Sequence, residues 1–114
     1  MNRSYSLKRH KAFRYTYRAG KHVGGRLFSL VYVKNRARKL QIGLSASKKL
    51  GNSVKRNRAK RRVRACLGPM LPRILSGYNL IVILRDSVLT ESFPVLTREM
   101  ERQLGRAGLL KEVE

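Results

Sequence analysis

Seven of the fourteen residues from Gly51 to Arg64 are Lys or Arg, and none of the fourteen is acidic. Guanidinium and ammonium groups at this density bind phosphate oxygens, and arginine can do so with two parallel hydrogen bonds. The segment also predicts a helix, because Asn52 is a favourable N-cap and no Gly or Pro follows before Gly68. We therefore expect a folded helix that binds a polyanion. The side chains assigned to this contact are Lys55, Arg56, Asn57, Arg58, Lys60, Arg61, Arg62 and Arg64.

The same helix has a narrow apolar stripe that would pack it onto a core. At about 100° per residue, five residues fall on one side: Ala59, Val63, Cys66, Leu67 and Met70. Charge runs on helices are usually solvated faces, which is the alternative interpretation. Like charges three and four positions apart destabilise an isolated helix by tenths of a kcal/mol per pair, and no acid relieves them here. This repulsion favours a bound polyanion over a solvated face.

The net charge of the chain is +21 over 114 residues, and all six acidic residues lie after position 85. Such self-repulsion indicates a partner that supplies the counter-charge, and nucleic acid is the first candidate. An anionic membrane surface fits less well, because the basic segments lack a wide apolar face. With 42% hydrophobic residues, the chain is not a disordered basic arm. We expect one domain over residues 1–114, with residues 1–6 and 109–114 flexible.

Few residues of this chain could perform catalysis or hold a cofactor. There is no Gly-rich phosphate loop, dinucleotide fingerprint or Cys/His metal constellation. Cys66 is the only cysteine, so it forms no intramolecular disulfide, and its place on the apolar stripe predicts an inert core thiol. We assign no catalytic residue and no cofactor to the protein, and metal binding is left open. The N-terminus lacks an apolar signal region and the apolar run Leu80–Leu84 is too short to span a bilayer, which predicts a cytoplasmic protein.

The pattern along the chain predicts an α+β fold or mixed sandwich. Strands are expected where β-branched or alternating apolar residues occur, and helices where the apolar spacing is three to four. The predicted elements are a helix over 7–19, strands over 27–33 and 40–46, the basic helix over 52–67, a central strand over 80–84 and a helix over 92–104. Residues 34–39 are predicted to be an exposed hairpin loop between the first two strands.

Two aromatic residues of the first helix could bind an unpaired RNA strand. Phe13 and Tyr17 are four positions apart and share a face. Aromatics at this spacing are more often core residues, but they could also stack on bases inside a basic groove. In the predicted strand Leu40–Ala46, alternate positions carry only small or polar groups. That face is either an ordinary solvated sheet surface or one that a ligand approaches closely.

The run from Ile42 to Arg64 resembles the signature of the bacterial ribonuclease P protein subunit. It reads Ile-Gly-Leu-Ser-Ala-Ser-Lys-Lys-Leu-Gly-Asn-Ser-Val-Lys-Arg-Asn-Arg-Ala-Lys-Arg-Arg-Val-Arg. The family has a strand that ends in Ser-x-Ser-Lys-Lys, followed by Gly-Asn-x-Val-x-Arg-Asn-Arg-x-Lys-Arg. The flanks agree as well, with an N-terminal helix that carries Phe13, Gly25-Arg26 before a strand, and an apolar strand that ends at Arg85. The resemblance covers roughly residues 5 to 108.

This resemblance implies a two-layer α/β sandwich with a central mixed four-stranded sheet and a left-handed βαβ crossover, the fold described as ribosomal-protein-S5-domain-2-like. It also implies a ribonucleoprotein in which a catalytic RNA, with Mg²⁺, removes the 5′ leader of precursor tRNA. Ribonuclease P RNA and precursor tRNA would be the partners, and no DNA is expected. The basic helix would hold the catalytic RNA. The leader would bind in a cleft between the first helix and the sheet, lined by Phe13, Tyr17, Arg14, Tyr32, Ser45, Ser47 and Lys48.

Tyr32 fits that cleft only if the first strand is irregular. Family members often have an aromatic near Val31, and Tyr32 is one position further on. A step of one residue turns a strand side chain to the opposite face, so a bulge would be needed to bring Tyr32 into the cleft. Without a bulge, this stacking contact is missing.

Two other classes of protein share part of this pattern. A ribosomal component or an RNA chaperone would have the charge, but would need neither the aromatic cleft nor the Gly-Asn-x-Val-x-Arg-Asn-Arg run. A reader of the DNA major groove is a further possibility. A helix that is basic on nearly every exposed side favours contact with the phosphate backbone over recognition of base edges, which disfavours that class.

Overall fold

Three α-helices and four β-strands make up the part of the chain that the computed structural model describes, residues 5–7 and 10–111. Short 3₁₀ helices occupy Lys48–Leu50, Gly68–Arg73 and Asp86–Leu89. In chain order, the main elements are α1 (His10–Ala19), β1 (Lys21–Val23), β2 (Phe28–Lys34), β3 (Gln41–Ser45), α2 (Ser53–Leu67), β4 (Tyr78–Leu84) and α3 (Phe93–Ala107). The predicted α+β class with a mixed four-stranded sheet is confirmed.

The strands form one sheet in the order β1-β2-β4-β3. β4 lies antiparallel to β2 and parallel to β3, so α2 is the crossover between two adjacent parallel strands. The prediction of a hairpin across residues 34–39 is therefore wrong, because β4 lies between the two strands that this loop joins. The reason is the apolar run of β4. Leu80, Ile81 and Val82 are fully buried, and only a central position covers both faces of such a strand.

One face of the sheet forms the main core with α2 and α3. Leu30, Leu80 and Val82 of the sheet pack here with apolar side chains from both helices. The predicted apolar stripe is confirmed, since Ala59, Val63, Cys66 and Leu67 of α2 are buried, as is Met70 in the 3₁₀ helix that follows. Burying a Val, Leu or Met side chain of this stripe stabilises the fold by roughly 1.5–3 kcal/mol. α2 is thereby fixed with its opposite surface toward solvent.

The other face of the sheet packs against α1 through a smaller apolar cluster. Val31 and Ile81 are fully buried there, with Phe13 and Ala12 of α1 packed against them. The backbone of α1 approaches the sheet closely at its C-terminal end, where a Cβ at Gly20 would lie 2.8 Å from Val31 Cγ1. Only glycine allows this close approach between the end of α1 and the sheet.

The helix boundaries follow the capping residues, with some differences from the predicted limits. Asn52 caps α2 as expected, since its Oδ1 accepts a hydrogen bond from the Lys55 N–H at 3.0 Å. α3 runs past the predicted stop at Gly105 and ends before Gly108, whose φ of 72° is left-handed. Leu7, where the first helix was predicted to begin, is not helical, and α1 is described from His10 onward. The short strand β1 was not predicted.

Both ends of the described chain are attached to the fold. Ser6 pairs with Ile42, and the Leu7 N–H donates to the Ile42 carbonyl at 2.9 Å. At the other end, Leu109 is fully buried and Leu110 pairs with Ile74. The expected flexibility of residues 1–6 and 109–114 stays a prediction, and residues 1–4 and 112–114 lie outside the described residues. No helix within the described ranges is long and apolar enough to cross a membrane.

Candidate nucleic-acid interface

The outer surface of α2 presents cations and an amide to solvent. Five of the eight side chains predicted for this surface are exposed: Lys55, Asn57, Arg58, Arg61 and Arg64. Arg56 and Lys60 are half-buried on one flank of the helix. The exposed guanidinium groups lie on the side away from the core, where they can reach phosphate oxygens without any change in the packing of α2. The structure therefore exposes five of the eight residues on α2, and Arg56 and Lys60 lie closer to the packed side of the helix.

Arg62 is the exception, because the protein itself occupies its guanidinium group. Its Nε donates to the Val88 carbonyl at 2.9 Å, and its Nη2 donates to the Glu91 carbonyl. These bonds join α2 to the segment that leads into α3. Because these donors are occupied, we now expect Arg62, three positions from Ala59 on the flank toward the core, to stabilise the fold rather than to contact RNA.

Arg62→Ala should lower the free energy of unfolding by about 2 kcal/mol, because two carbonyls lose a charged donor. The salt dependence of RNA affinity should not change. Arg61→Ala is the matched control, since Arg61 is exposed and should affect RNA affinity without affecting stability. Denaturant titration and RNA binding at several salt concentrations would measure both quantities. If Arg62→Ala were as stable as wild type and its RNA affinity depended less on salt, Arg62 would be assigned to RNA binding after all.

A second surface, which we call the central cleft, lies between α1 and the sheet. It comprises Phe13 and Tyr17 of α1 and the sheet residues Gly43, Ser45 and Ile83. The two aromatic rings are 5.7 Å apart between centroids and are tilted by 43°. Phe13 is half-buried, whereas Tyr17 is 36% exposed. The pair therefore belongs partly to the core, through Phe13, and partly to the surface, through Tyr17.

Gly43 explains how Phe13 reaches the sheet. A Cβ at this position would overlap the Phe13 ring, so only glycine leaves space for the ring. Ser45 follows two positions later on the same face, opposite Ile83 in β4, and both are half-buried. The small residues of β3 thus accommodate Phe13 first and leave the surface beside it partly open. Ser47 and Lys48 continue this edge and are exposed.

Two residues predicted for the cleft lie elsewhere. β2 pairs with β4 in unbroken register, with Tyr32 opposite Leu80, so there is no bulge in β2. Tyr32 consequently packs on the main core beside Tyr78, on the face opposite Phe13, and its assignment to the cleft is wrong. Arg14 is exposed and lies toward the loop after β2, on the other flank of α1. The sequence pattern missed Gly43 and Ile83, although the glycine within an alternating strand was a signal of close approach.

Three acidic side chains of the described residues pair with arginines that lie outside α1 and α2. Glu91 and Glu101 lie 3.2 Å from Arg26 and Arg73, respectively. The hydrogen bond from Arg102 lowers the pKa of Glu99, which keeps that carboxylate ionised at neutral pH. The exposed cations of α1 and α2 are therefore not neutralised by nearby carboxylates within the described part of the chain.

Cys66 is the remaining side chain that could be reactive, and its surroundings are those of a core residue. The Cys66 thiol is buried against Thr97, and burial raises its pKa, as expected for an inert core cysteine. Among residues 5–7 and 10–111, no three His, Cys, Asp or Glu side chains come together as a metal site.

A cationic helix on one side of a small α+β domain, and an aromatic cleft on the other, define a polyanion-binding protein. The family model for ribonuclease P matches residues 1–108. A ribonuclease P protein component from Symbiobacterium thermophilum is 38% identical over 112 residues, which cover 97% of each chain. One from Streptococcus agalactiae is 34% identical over 110 residues, which cover 96% of this chain and all of that one. The chain belongs to the ribonuclease P protein component family.

Solved structures agree with this assignment. The RNase P protein from Staphylococcus aureus superimposes with a TM-score of 0.83 at 30% identity, over 94% of this chain and 98% of that one. The RNase P protein from Thermotoga maritima superimposes with a TM-score of 0.79 at 23% identity, over 89% and 96% of the two chains. The second likeness concerns the fold alone. Membership of the family makes this chain a component of a ribonuclease P ribonucleoprotein that acts in tRNA processing.

Proposed function

We propose that this protein binds the catalytic RNA of ribonuclease P through α2 and the 5′ leader of precursor tRNA in the central cleft, and so assists removal of the leader. The observation that supports this most strongly is the placement of the two surfaces. α2 packs on one face of the sheet, and α1, with Phe13 and Tyr17, packs on the other. One small domain can therefore contact two RNA molecules at once.

The α2 surface suits a structured RNA. Arg58, Arg61 and Arg64 are exposed on a helix that is capped by Asn52, and the planar guanidinium group of arginine loses less freedom per hydrogen bond than a lysine ammonium does. Contacts of this kind position a protein on the phosphate backbone and carry little sequence information. This is the chemistry expected where a protein binds a folded RNA by its shape.

The central cleft suits an unpaired strand. Sequence-tolerant binding of single-stranded RNA combines aromatic platforms with nearby cations, and each stacked base contributes about 1–3 kcal/mol. Tyr17 offers an exposed ring, and Lys48 provides a cation at the edge where β3 ends. A leader of variable sequence would bind here by stacking and charge, whereas mature tRNA lacks that segment.

The hydrolysis itself is assigned to the RNA partner. Mg²⁺ bound by that RNA would activate water and stabilise the leaving group, with a mature 5′-phosphate as the product. The residues of this chain would bind and orient the leader, and none is assigned a proton transfer. A cytoplasmic location follows from this role and stays a prediction.

Reconstituted cleavage tests the proposal. Precursor tRNA would be incubated with a bacterial ribonuclease P RNA at low Mg²⁺, with and without this protein. We expect strong stimulation and release of the leader at one site, because the protein supplies cations and leader contacts that the RNA alone lacks. Tight RNA binding without stimulation would contradict the proposal and indicate a general RNA-binding protein, such as a ribosomal component or RNA chaperone.

A further inference from the structure

A groove separate from the central cleft lies on the opposite flank of α1, between this helix and the loop that joins β2 to β3. Tyr15 lines it and is 46% exposed. Two positions along a helix are about 200° apart, so Tyr15 and Tyr17 point to opposite flanks of α1. We call this surface the α1–loop groove. Its cations are Lys11, Arg14, Arg18, Lys34 and Arg36.

The floor of the α1–loop groove is a hydrogen-bonded network of amides. Asn35 Nδ2 donates to Asn79 Oδ1 at 2.9 Å, and Asn79 Nδ2 donates to Thr16 Oγ1 at 3.2 Å. Asn79 and Thr16 are buried, so these bonds connect the loop to the sheet and to α1. Asn35 Nδ2 also donates to the Lys39 carbonyl at 2.9 Å, which closes the loop on itself. The two walls of the groove are therefore held at a fixed separation.

The composition of the groove indicates its ligand. All five of its charged residues are cations, and the acidic residues that the structure describes come later in the chain, from Asp86 onward. Several cations within one fixed groove repel each other unless phosphate lies among them. The exposed ring of Tyr15 adds a platform on which one base can stack. A duplex would not offer an unstacked base, so this combination favours a single strand of RNA.

We propose that the α1–loop groove binds the distal part of the 5′ leader, upstream of the nucleotides held in the central cleft. This inference rests on the proposed function of the cleft. The groove and the cleft share α1 and lie on one side of the sheet, whereas α2 lies on the other. At about 1.5 Å per residue, α1 is only about 15 Å long, so a continuous strand can pass its end and contact both flanks. The groove would then extend the binding site for long leaders.

The test compares leaders of different length on the reconstituted holoenzyme. Precursor tRNAs with leaders from roughly four to roughly sixteen nucleotides cover the usual range of single-strand site sizes. The groove variant is Tyr15→Ala with Arg36→Ala, both exposed positions. Phe93→Ala with Arg98→Ala is the matched control, because it removes one exposed aromatic and one exposed arginine from α3. Affinity would be measured for each leader, for mature tRNA and for the catalytic RNA alone.

We expect the groove variant to lose roughly ten-fold or more in affinity for the longest leader and nothing for the shortest. The control should match wild type throughout. Two outcomes would overturn the inference: an equal loss at every leader length or with the catalytic RNA, or no loss relative to the control. A third outcome would also overturn the inference: wild-type protein binds short-leader precursors more tightly than mature tRNA, but its affinity does not rise further with longer leaders. That outcome would leave the proposed function intact. Failure of wild type to distinguish any leader from mature tRNA would instead remove the proposed function.

Discussion

Phe13→Ala together with Tyr17→Ala should weaken binding of leader-bearing precursor tRNA by a few kcal/mol and leave mature tRNA unaffected. The expected size follows from about 1–3 kcal/mol per stacked base and two adjacent rings. The measurement is the affinity of the holoenzyme for precursor and mature tRNA under identical salt. The difference between the two substrates, rather than either affinity, reports the contact with the leader.

Two controls separate this effect from damage to the fold. Phe13 is half-buried over Gly43, so its removal also leaves a gap in the smaller apolar cluster. Tyr17→Ala alone changes a more exposed ring and should give about half of the loss with little effect on unfolding. Phe93→Ala removes an exposed ring from α3, and this variant should bind precursor and mature tRNA with wild-type affinity. Equal losses for precursor and mature tRNA would contradict the assignment of the cleft.

Arg58→Ala with Arg61→Ala should weaken binding of the catalytic RNA and reduce the salt dependence of its affinity by roughly two counterions. Both side chains are exposed on α2, so the free energy of unfolding should change by less than about 0.5 kcal/mol. Binding isotherms over a range of salt concentrations give the slope directly. The effect should be the same with and without a leader on the substrate.

The control for this helix removes the same charge elsewhere. Arg98→Ala with Arg106→Ala takes two exposed arginines from α3, so the net charge falls equally. If this control reduced affinity and slope as much as the α2 variant does, net charge alone would explain binding. An unchanged slope for the α2 variant would show that α2 is not the surface that neutralises phosphate.

Much of this fold could be predicted because the decisive signals are local. Asn52 caps α2, and the apolar stripe from Ala59 to Met70 has helical spacing, so both the start of the helix and its buried side follow from short-range chemistry. The apolar run of β4 predicted a central strand for the same reason. The strand order did not follow, because the choice between pairing β3 with β2 or with β4 depends on contacts distant in sequence.

The candidate site was predictable where the residue types constrain the chemistry. The basic face of α2 and the Phe13–Tyr17 pair follow from spacing alone. Tyr32 was placed wrongly, because a bulge in β2 would have been needed and the pairing with β4 is regular. Arg62 looks like its neighbours in the sequence, and only the carbonyls of Val88 and Glu91 show its structural role. The α1–loop groove also combines residues from distant segments, which no local pattern connects.

The most direct test of the two-surface account is cleavage of RNA from a reagent tethered to an introduced cysteine. Cys66 is 2% exposed and should not react, so Ser47→Cys and Arg61→Cys each provide one accessible thiol. In the assembled holoenzyme with precursor tRNA, we expect Ser47→Cys to cleave the leader and Arg61→Cys to cleave the catalytic RNA. Cleavage of the same RNA segment from both positions would contradict the assignment of two opposite surfaces to two RNAs.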